Sequence, residues 1–407
     1  MVCQLNEEDI RNFLVIGLDV VSLASSARKA GYKVHAVDYF GDQDLKHLSH
    51  KTRSIIKQRA GETCGRLNTN FNPEALLHLT KNLLKSSEID AALLSSGLED
   101  SPEVLSELND LVPILGNSPE VIQKVRNKKE FFHELERVGI PHPETELAEN
   151  FEEAREKSKD FGFPVVVKPF KGFGGAGVRE AQNAQELKKA FRGASLFDKK
   201  VLIQESISGA AASASLISSI DRAIVLTLNE QLLGIRQVGQ REPFGYCGNV
   251  VPLSVTETVK DACKSIAEEV VLHFGLVGSN GIDLMISEEG VPYVIEVNPR
   301  FQGTLECVER VLRTNIVRAH VEACVQGILP TSMKKTSLSC VRLILFALKR
   351  SIAPDLTTFR EVRDIPLPGV IVEEGEPLCS VVVEGVNRDS ILGEAMGVAE
   401  RVYELLQ

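Results

Sequence analysis

The segment GIDLMISEEGVPYVIEVNPR (281–300) restricts the fold more than any other stretch of the chain. Two apolar-patterned runs flank Glu289–Gly290, which reads as a two-residue hairpin turn. In that register Asp283 faces Glu296, and Asn298, two residues on, shares the face of Glu296. A one-residue slip in the turn changes the Asp283 pairing but leaves the Glu296/Asn298 relation intact. Three oxygen-bearing side chains thus meet on a hairpin otherwise built of Ile, Leu, Met and Val. Buried charge must be compensated, and Mg2+ takes oxygen ligands while keeping water and phosphates in its shell. The alternative is that all three simply face solvent. Pro299 stiffens the exit of the second strand, and Arg300 follows with a permanently charged fork. Such a group either neutralises charge on a transferring phosphoryl group or forms an ordinary surface salt bridge.

A second informative segment is VVVKPFKGFGGAGV (165–178), in which a strand delivers Lys168 into a turn holding Gly172, Gly174, Gly175 and Gly177. Glycines admit positive φ and remove side-chain bulk, so their N–H groups can close over phosphate oxygens. Lys168 adds a compact cation at one edge. The spacing is not that of the Walker loop. Alone, the stretch reads equally as a mobile hairpin.

Charge and composition narrow the partners. The 407 residues hold 46 Lys+Arg against 56 Asp+Glu, a formal net charge of −10. Bulk attraction to nucleic acid is therefore not expected, and anions must be held by a few placed cations and N–H groups. The eight cysteines (3, 64, 247, 263, 307, 324, 340 and 379) form no CxxC pair and no cluster with His. They read as free, mostly buried thiols of a reducing cytosol. The start, MVCQLNEEDI, is unlike a signal peptide. The apolar stretch Leu338–Leu348 is interrupted by Arg342 and is too short to span a bilayer. A cytoplasmic protein without membrane or nucleic-acid partners is expected.

Along residues 1–116, strand and helix signals alternate: FLVIG (13–17), a helix from Ser22 to Ala30 stopped at Gly31, KVHAVDYF (33–40), then short strands AALLSSG (91–97) and VPILG (112–116). This pattern predicts an open α/β domain with a parallel sheet. GLDVVSLAS supplies only Gly17 of the three glycines that a dinucleotide turn needs, so neither NAD nor FAD is expected. Residues 117–329 begin with an amphipathic helix pair, Pro119–Gly139, introduced by Asn117–Ser118. They continue through a Pro-bearing link (140–146), an exposed helix, the glycine turn and a Gly/Ala/Ser stretch (208–219). A helix over 257–274, the hairpin and one long helix to about Gly327 complete them. Residues 330–407 read as β-rich, closed by a final helix.

In combination these motifs resemble the ATP-grasp superfamily of carboxylate–amine ligases and biotin-carboxylase-like carboligases, over roughly Asn117 to Gly327. The resemblance implies an α/β (α+β overall) fold, with an N-terminal open α/β domain, a two-lobed ATP-grasp domain and a small β-rich C-terminal domain. It implies ATP with one or two Mg2+ (or Mn2+) ions. Lys128 matches the first phosphate lysine, with Lys129 beside it as a competitor, and Lys168 matches the second. GFGGAGV matches the mobile phosphate lid. In VLIQESISG, Gln204 and Glu205 fall at the nucleoside hinge, and the backbone of Ser206–Ile207 falls where adenine is met. Asp283, Glu296 and Asn298 match the metal ligands. DYFGDQDL (38–45) resembles a mostly archaeal group of carboligases related to biotin carboxylase.

Biotin carboxylases follow Arg300 with a Gln-Val-Glu-His run; here it is FQGTLE, which keeps Gln302 and lacks the His, and no biotin-acceptor Met-Lys-Met occurs. The resemblance therefore favours C–N ligation. A small-molecule carboxylate becomes an acylphosphate, with Lys168 and Arg300 as the catalytic cations, and an amine then displaces phosphate. A carboligase or other phosphoryl transfer using bicarbonate through carboxyphosphate is the alternative, and a non-catalytic ATP sensor a third. A homodimer is among the assemblies allowed. In REPFGYCGNVVPL (241–253), Arg241 is a candidate carboxylate clamp, or part of a plain connecting loop; Gly303 is a second candidate substrate contact. Glu306 and Arg310 lie near the substrate or form a simple i, i+4 pair. His273 and His320 read as packing or surface residues.

Overall fold

The computed structural model describes residues 10–63, 65–66, 71–172, 174–331 and 337–406, so Cys3, Cys64 and Phe173 of the motifs above lie outside it. The N-terminal part is a four-stranded parallel sheet in the order Lys51–Ser54, Lys33–Asp38, Asn12–Ile16, Ala91–Leu94. Apart from the polar edge strand Lys51–Ser54, its strands are mostly apolar on both faces, as parallel strands covered by helices must be, and Phe13, Leu14, Val15, Ala36, Ala92 and Leu93 are wholly buried. VPILG is not a full strand. Only an isolated bridge from Ile114 to Ala92 forms, because the chain turns off at once through Gly116 (φ +129°) towards the next helix.

The predicted helix pair is observed as Pro119–Arg126 and Lys128–Val138, separated at Asn127 (φ −72°, ψ 90°). Ser118 caps the first by accepting the Val121 N–H, with Pro119 at its first position, where a missing N–H costs nothing. Beyond it a small antiparallel sheet runs Thr145–Ala148, Val201–Glu205, Val165–Pro169, Arg179–Ala181. The helices Phe151–Phe161 and Ala184–Ala194 pack Ala154, Leu187 and Phe191 against one face.

The largest element is an eight-stranded antiparallel sheet. Its order is Pro292–Asn298, Gly278–Ser287, Gly209–Ser218, Ala223–Leu233, Tyr246–Val251, Ser339–Phe346, Pro377–Gly385, Val362–Arg363. The Gly/Ala/Ser stretch is its third strand, Gly209–Ser218, with small side chains where neighbours crowd. At Gly209 a Cβ would lie 1.9 Å from the Ile286 carbonyl oxygen. The C-terminal strands continue this sheet, through Val250 opposite Val341. The one long helix predicted up to Gly327 is instead two, Leu305–Leu312 and Ile316–Gln326. Arg313 takes a left-handed conformation (φ 53°) between them, and Asn315 caps the second helix through the Arg318 N–H.

The hairpin turn also differs from expectation. Ser287 N–H donates to Val291 and Gly290 N–H to Ser287, so the loop is the three residues Glu288–Gly290, with Gly290 left-handed (φ +82°). That one-residue slip is cancelled by a bulge at Ile295, which returns Asp283 to face Glu296. Bulges that re-aim a side chain are frequent beside functional sites.

Two seams hold the N-terminal sheet over the large one. Phe301 N–H bonds the Leu94 carbonyl. Buried Asn117 reaches the Asn280 side chain (2.7 Å) and the Pro299 carbonyl (3.0 Å). The DYFGDQDL stretch forms the other seam. Asp42 pairs with fully buried Arg66 at 2.7 Å, and Asp44 accepts the N–H groups of Asp364 and Ile365. The described cysteines are free thiols, all buried except half-buried Cys324. Among the described residues no helix is long and apolar enough to cross a membrane.

Candidate active site

The hairpin bulge places Asp283, Glu296 and Asn298 together under the gap between the sheets. Asn298 donates to one Asp283 oxygen at 3.1 Å, and Gln231 to the other at 2.9 Å. Burial first, and then the charge of Glu296, push Asp283 up to about 6. Burial alone would also raise Glu296, but Lys128 and Arg126 outweigh it and hold that carboxyl well below its usual range. These cations come from the junction of the helix pair. Arg126 ion-pairs with Glu296 and grips Asp100 through two bonds of 2.7 and 2.8 Å. Lys128 lies 3.1 Å from Glu296.

The helix junction distinguishes the two adjacent lysines. Lys128 is 7% exposed, whereas Lys129 is on the outer face. Burial lowers the Lys128 pKa against the pull of Glu296, and its ammonium, although ion-paired, makes no hydrogen bond of good geometry. Lys168 enters from the strand Val165–Pro169 and donates to Gln204 at 2.5 Å. Gln204 is fixed in turn by Thr145 (2.8 Å). Burial brings Lys168 down to about 8, partly opposed by Glu296.

At the hinge, Glu205 exchanges bonds with the Glu144 backbone, and Ser206 donates to Glu180 at 2.6 Å. The lid rests on the loop before the strand Tyr246–Val251. Tyr246 N–H donates to the Gly174 carbonyl at 3.0 Å, and Arg179 ion-pairs with Glu242. Gly174, Gly175 and Gly177 are all left-handed (φ +65°, +75°, +74°), and a Cβ on Gly175 would stand 1.8 Å from the Phe244 carbonyl oxygen. Gly172 precedes this turn, where a Cβ would make an ordinary contact with Pro169 at 3.8 Å.

Arg300 is held by three groups: Glu99 (2.9 Å), the Asn298 side-chain oxygen (3.0 Å) and the Phe301 carbonyl (3.1 Å). Arg300 and Arg126 keep Glu99 low despite its burial. The fork is a structural tie as well as a positive edge to the cluster. Gly303 lies nearby, its carbonyl accepting from Arg342 at 3.1 Å. Arg241 is not brought to this cluster; it is 64% exposed and pairs with Glu374. Glu306 and Arg310 do form their i, i+4 pair, and Arg363 joins Glu306 as a third member. His320 packs in the interior, bonded to Ser279 and Leu115.

Sequence reasoning missed Arg126, Asp100, Glu99, Gln231 and Arg342. Arg342 stood out only as the charge that interrupts an apolar run; the others gave no signal, because their partners are distant in sequence.

Among the described residues no three of His, Cys, Asp and Glu gather as a metal site. The available set is two carboxylates and one amide oxygen. Glu296 has Arg126 and Lys128 as partners, but the Asp283 carboxylate is met by two neutral amides and raised by burial and by Glu296. A divalent cation would supply the counter-charge it lacks, so the residues present fit such an ion.

Residues 125–304, which hold Arg126, both lysines, the glycine lid and the acidic hairpin, match the family model of an ATP-grasp domain. The chain is 26% identical over 380 residues to an uncharacterised protein of Methanocaldococcus jannaschii, spanning 91% of this chain and 88% of that one. The carbamoyl phosphate synthase large chain of Methanobrevibacter smithii is 24% identical over 312 residues, 72% of this chain but 28% of that enzyme's length. Of solved structures, biotin carboxylase of Campylobacter jejuni superimposes at TM-score 0.73, covering 98% of this chain and 92% of that chain at 19% identity. An L-amino acid ligase of Bacillus licheniformis does so at 0.69, covering 97% and 98% at 15% identity. The two structures share the fold.

Proposed function

We propose that the chain is an ATP- and Mg2+-dependent ligase that activates a small-molecule carboxylate as an acylphosphate and joins it to an amine. The observation that carries this is the convergence of buried Lys128 and half-buried Lys168 on the Asp283–Glu296–Asn298 oxygen set. In this reading both lysines neutralise ATP phosphates, and the hinge at Gln204–Ile207 holds the nucleoside. Magnesium on Asp283, Glu296 and Asn298 would supply a Lewis acid to the phosphate oxygens. A substrate carboxylate oxygen attacks the γ-phosphorus as its bond to the β–γ bridging oxygen breaks and ADP leaves. The neutral amine then attacks the acyl carbon, and phosphate departs with the electrons of the C–O bond and takes up the proton that the nitrogen sheds. Arg300 faces charge developing at the transferred group. Docking of the glycine lid on the Phe244–Tyr246 backbone excludes water that would hydrolyse the acylphosphate. Residues 1–116, 117–329 and 330–407 are the three units arranged about this site, and the enzyme works in the cytoplasm.

A second reading, a carboligase acting on bicarbonate through carboxyphosphate, draws on the retained Gln302 and on the carbamoyl phosphate synthase and biotin carboxylase likenesses. Release of ADP and phosphate against a panel of amino acids, pterins and bicarbonate separates the two. Turnover with bicarbonate alone would replace the first reading by the second. Tight nucleotide binding with no substrate-dependent turnover would mean a sensor.

A further inference from the structure

The strand Lys33–Asp38 carries a polar side chain that the nucleotide reading leaves unused. His35 is 1% exposed, yet neither of its ring nitrogens has a hydrogen-bond partner. Such a group costs stability unless something completes it, and a bound ion or water ordinarily does. His35 lies opposite Lys51 of the edge strand, and Lys33, two residues earlier, shares its face. His50 sets its ring edge-on to that of His35, 5.5 Å between centres. Lys51 donates to the carbonyl of Ser86 and, at 3.1 Å, to its hydroxyl, just past the helix Pro73–Leu84. The hydroxyl of the next residue, Ser87, is buried without a partner as well.

The charges around His35 have one sign. Burial first, and then Lys33, His50 and Lys51, bring its pKa down to about 4, and no carboxylate is among the groups that act on it. Two imidazoles side by side also suit a transition metal, but two ammoniums would repel it. Among the described residues no three of His, Cys, Asp and Glu gather as a metal site. An anion supplies the charge that these four side chains lack. Four basic groups and two hydroxyls suit the several oxygens and double charge of a phosphate group better than the single charge of a carboxylate.

We propose that Lys33, His35, His50 and Lys51 form a second anion site, one that takes a phosphate group, free or carried on a small ester. It lies where the strands of the N-terminal sheet begin. The nucleotide cluster lies beyond their other end, where the Phe301 N–H bonds the carbonyl of Leu94. The two sites are therefore separate, and this one does not depend on the ligase reading. His50 is exposed, so an anion reaches His35 by displacing one surface side chain. A neutral His35 already offers one N–H, and an arriving phosphate favours the imidazolium, which offers two.

The test titrates the full chain with inorganic phosphate or glycerol phosphate at constant ionic strength and follows the histidine side-chain NMR signals. The nucleotide cluster holds no histidine, so these signals separate the two sites. Phosphate is expected to move the His35 and His50 signals saturably, with His35 shifting towards its imidazolium form. His35→Phe identifies its signal and should end the response at His50. Lys33→Gln and Lys51→Gln should each weaken phosphate binding by roughly tenfold or more, the scale of a hydrogen bond to a charged group. These two variants carry the test should His35→Phe not fold. Tighter binding of glycerol phosphate would make an ester the ligand, and tighter binding of inorganic phosphate the free ion. Signals that move with neither compound, or an affinity left unchanged by both lysine variants, would overturn the site. So would the same displacement by chloride alone, which would mark an effect of bulk salt.

Discussion

Arg126 and Glu296, 170 residues apart, form an ion pair, its guanidinium buried and its carboxylate half-buried, that ties the helix junction to the acidic hairpin. Arg126 at the same time holds Asp100 in a two-bond fork. Removing Arg126 leaves Asp100 without this partner and Glu296 with Lys128 alone. Both carboxylates keep some solvent, so the cost is about 1–3 kcal/mol, below that of a fully buried pair. Arg126→Met is therefore expected to lower the stability measured by urea unfolding by about that amount. A loss under about 1 kcal/mol, the scale of an exposed pair, would show that the helix junction does not depend on this bond.

Lys168 gives nucleotide binding a pH dependence. Its pKa is pushed down to about 8, first by burial and then by Lys128, against the pull of Glu296. Phosphate binding needs the ammonium form, and bound phosphate raises the pKa again. The sign follows: affinity for ATP is level below pH 8 and falls above it, by about tenfold per pH unit. Calorimetric titration of the protein with ATP from pH 7 to 9.5 reads this directly. The same series with Lys168→Gln should bind more weakly at pH 7 and lose the slope. A slope that survives in the variant would place the titrating group elsewhere.

Much of this site was legible in the sequence because its residues violate their local pattern. Asp283, Glu296 and Asn298 interrupt an apolar hairpin, and four glycines after Lys168 break a strand. Their facing survived even though the turn was misread, since the bulge at Ile295 restored the register. Bulges leave no mark in an alternating pattern, so neither the slip nor its correction was readable. Arg126 and Glu99 were invisible for a different reason. A charged residue in an amphipathic helix or loop looks like a solvated surface until its partner, 170 or 201 residues away, is placed beside it. The break at Arg313 was missed because a non-glycine residue in the left-handed region carries no sequence signal.

Asp283→Asn tests the metal reading with little change in shape. The variant keeps an acceptor oxygen and removes the charge that calls for a divalent cation. Added Mg-ADP should raise the Tm of the unaltered protein through mass-action stabilisation, and this rise should largely vanish in Asp283→Asn. Substrate-dependent ADP release should fall by roughly a hundredfold or more, the scale seen when charge stabilisation is removed from a reacting centre. An unchanged Mg-ADP shift would falsify the assignment of Asp283.

Gly175→Ala tests the lid without touching a charged group. The left-handed conformation costs a non-glycine residue about 1–2 kcal/mol, and the added Cβ would stand 1.8 Å from the Phe244 carbonyl oxygen. Neither backbone can yield cheaply, so the lid is expected to lift from the Phe244–Tyr246 segment while the rest of the small sheet stays folded. The acylphosphate then meets water. ADP release should continue, but less ligated product should form per ADP, with the remainder appearing as free carboxylate and phosphate. Measuring both products in one reaction gives that ratio. Equal loss of both, with the ratio preserved, would mean that the lid positions ATP rather than shielding the intermediate.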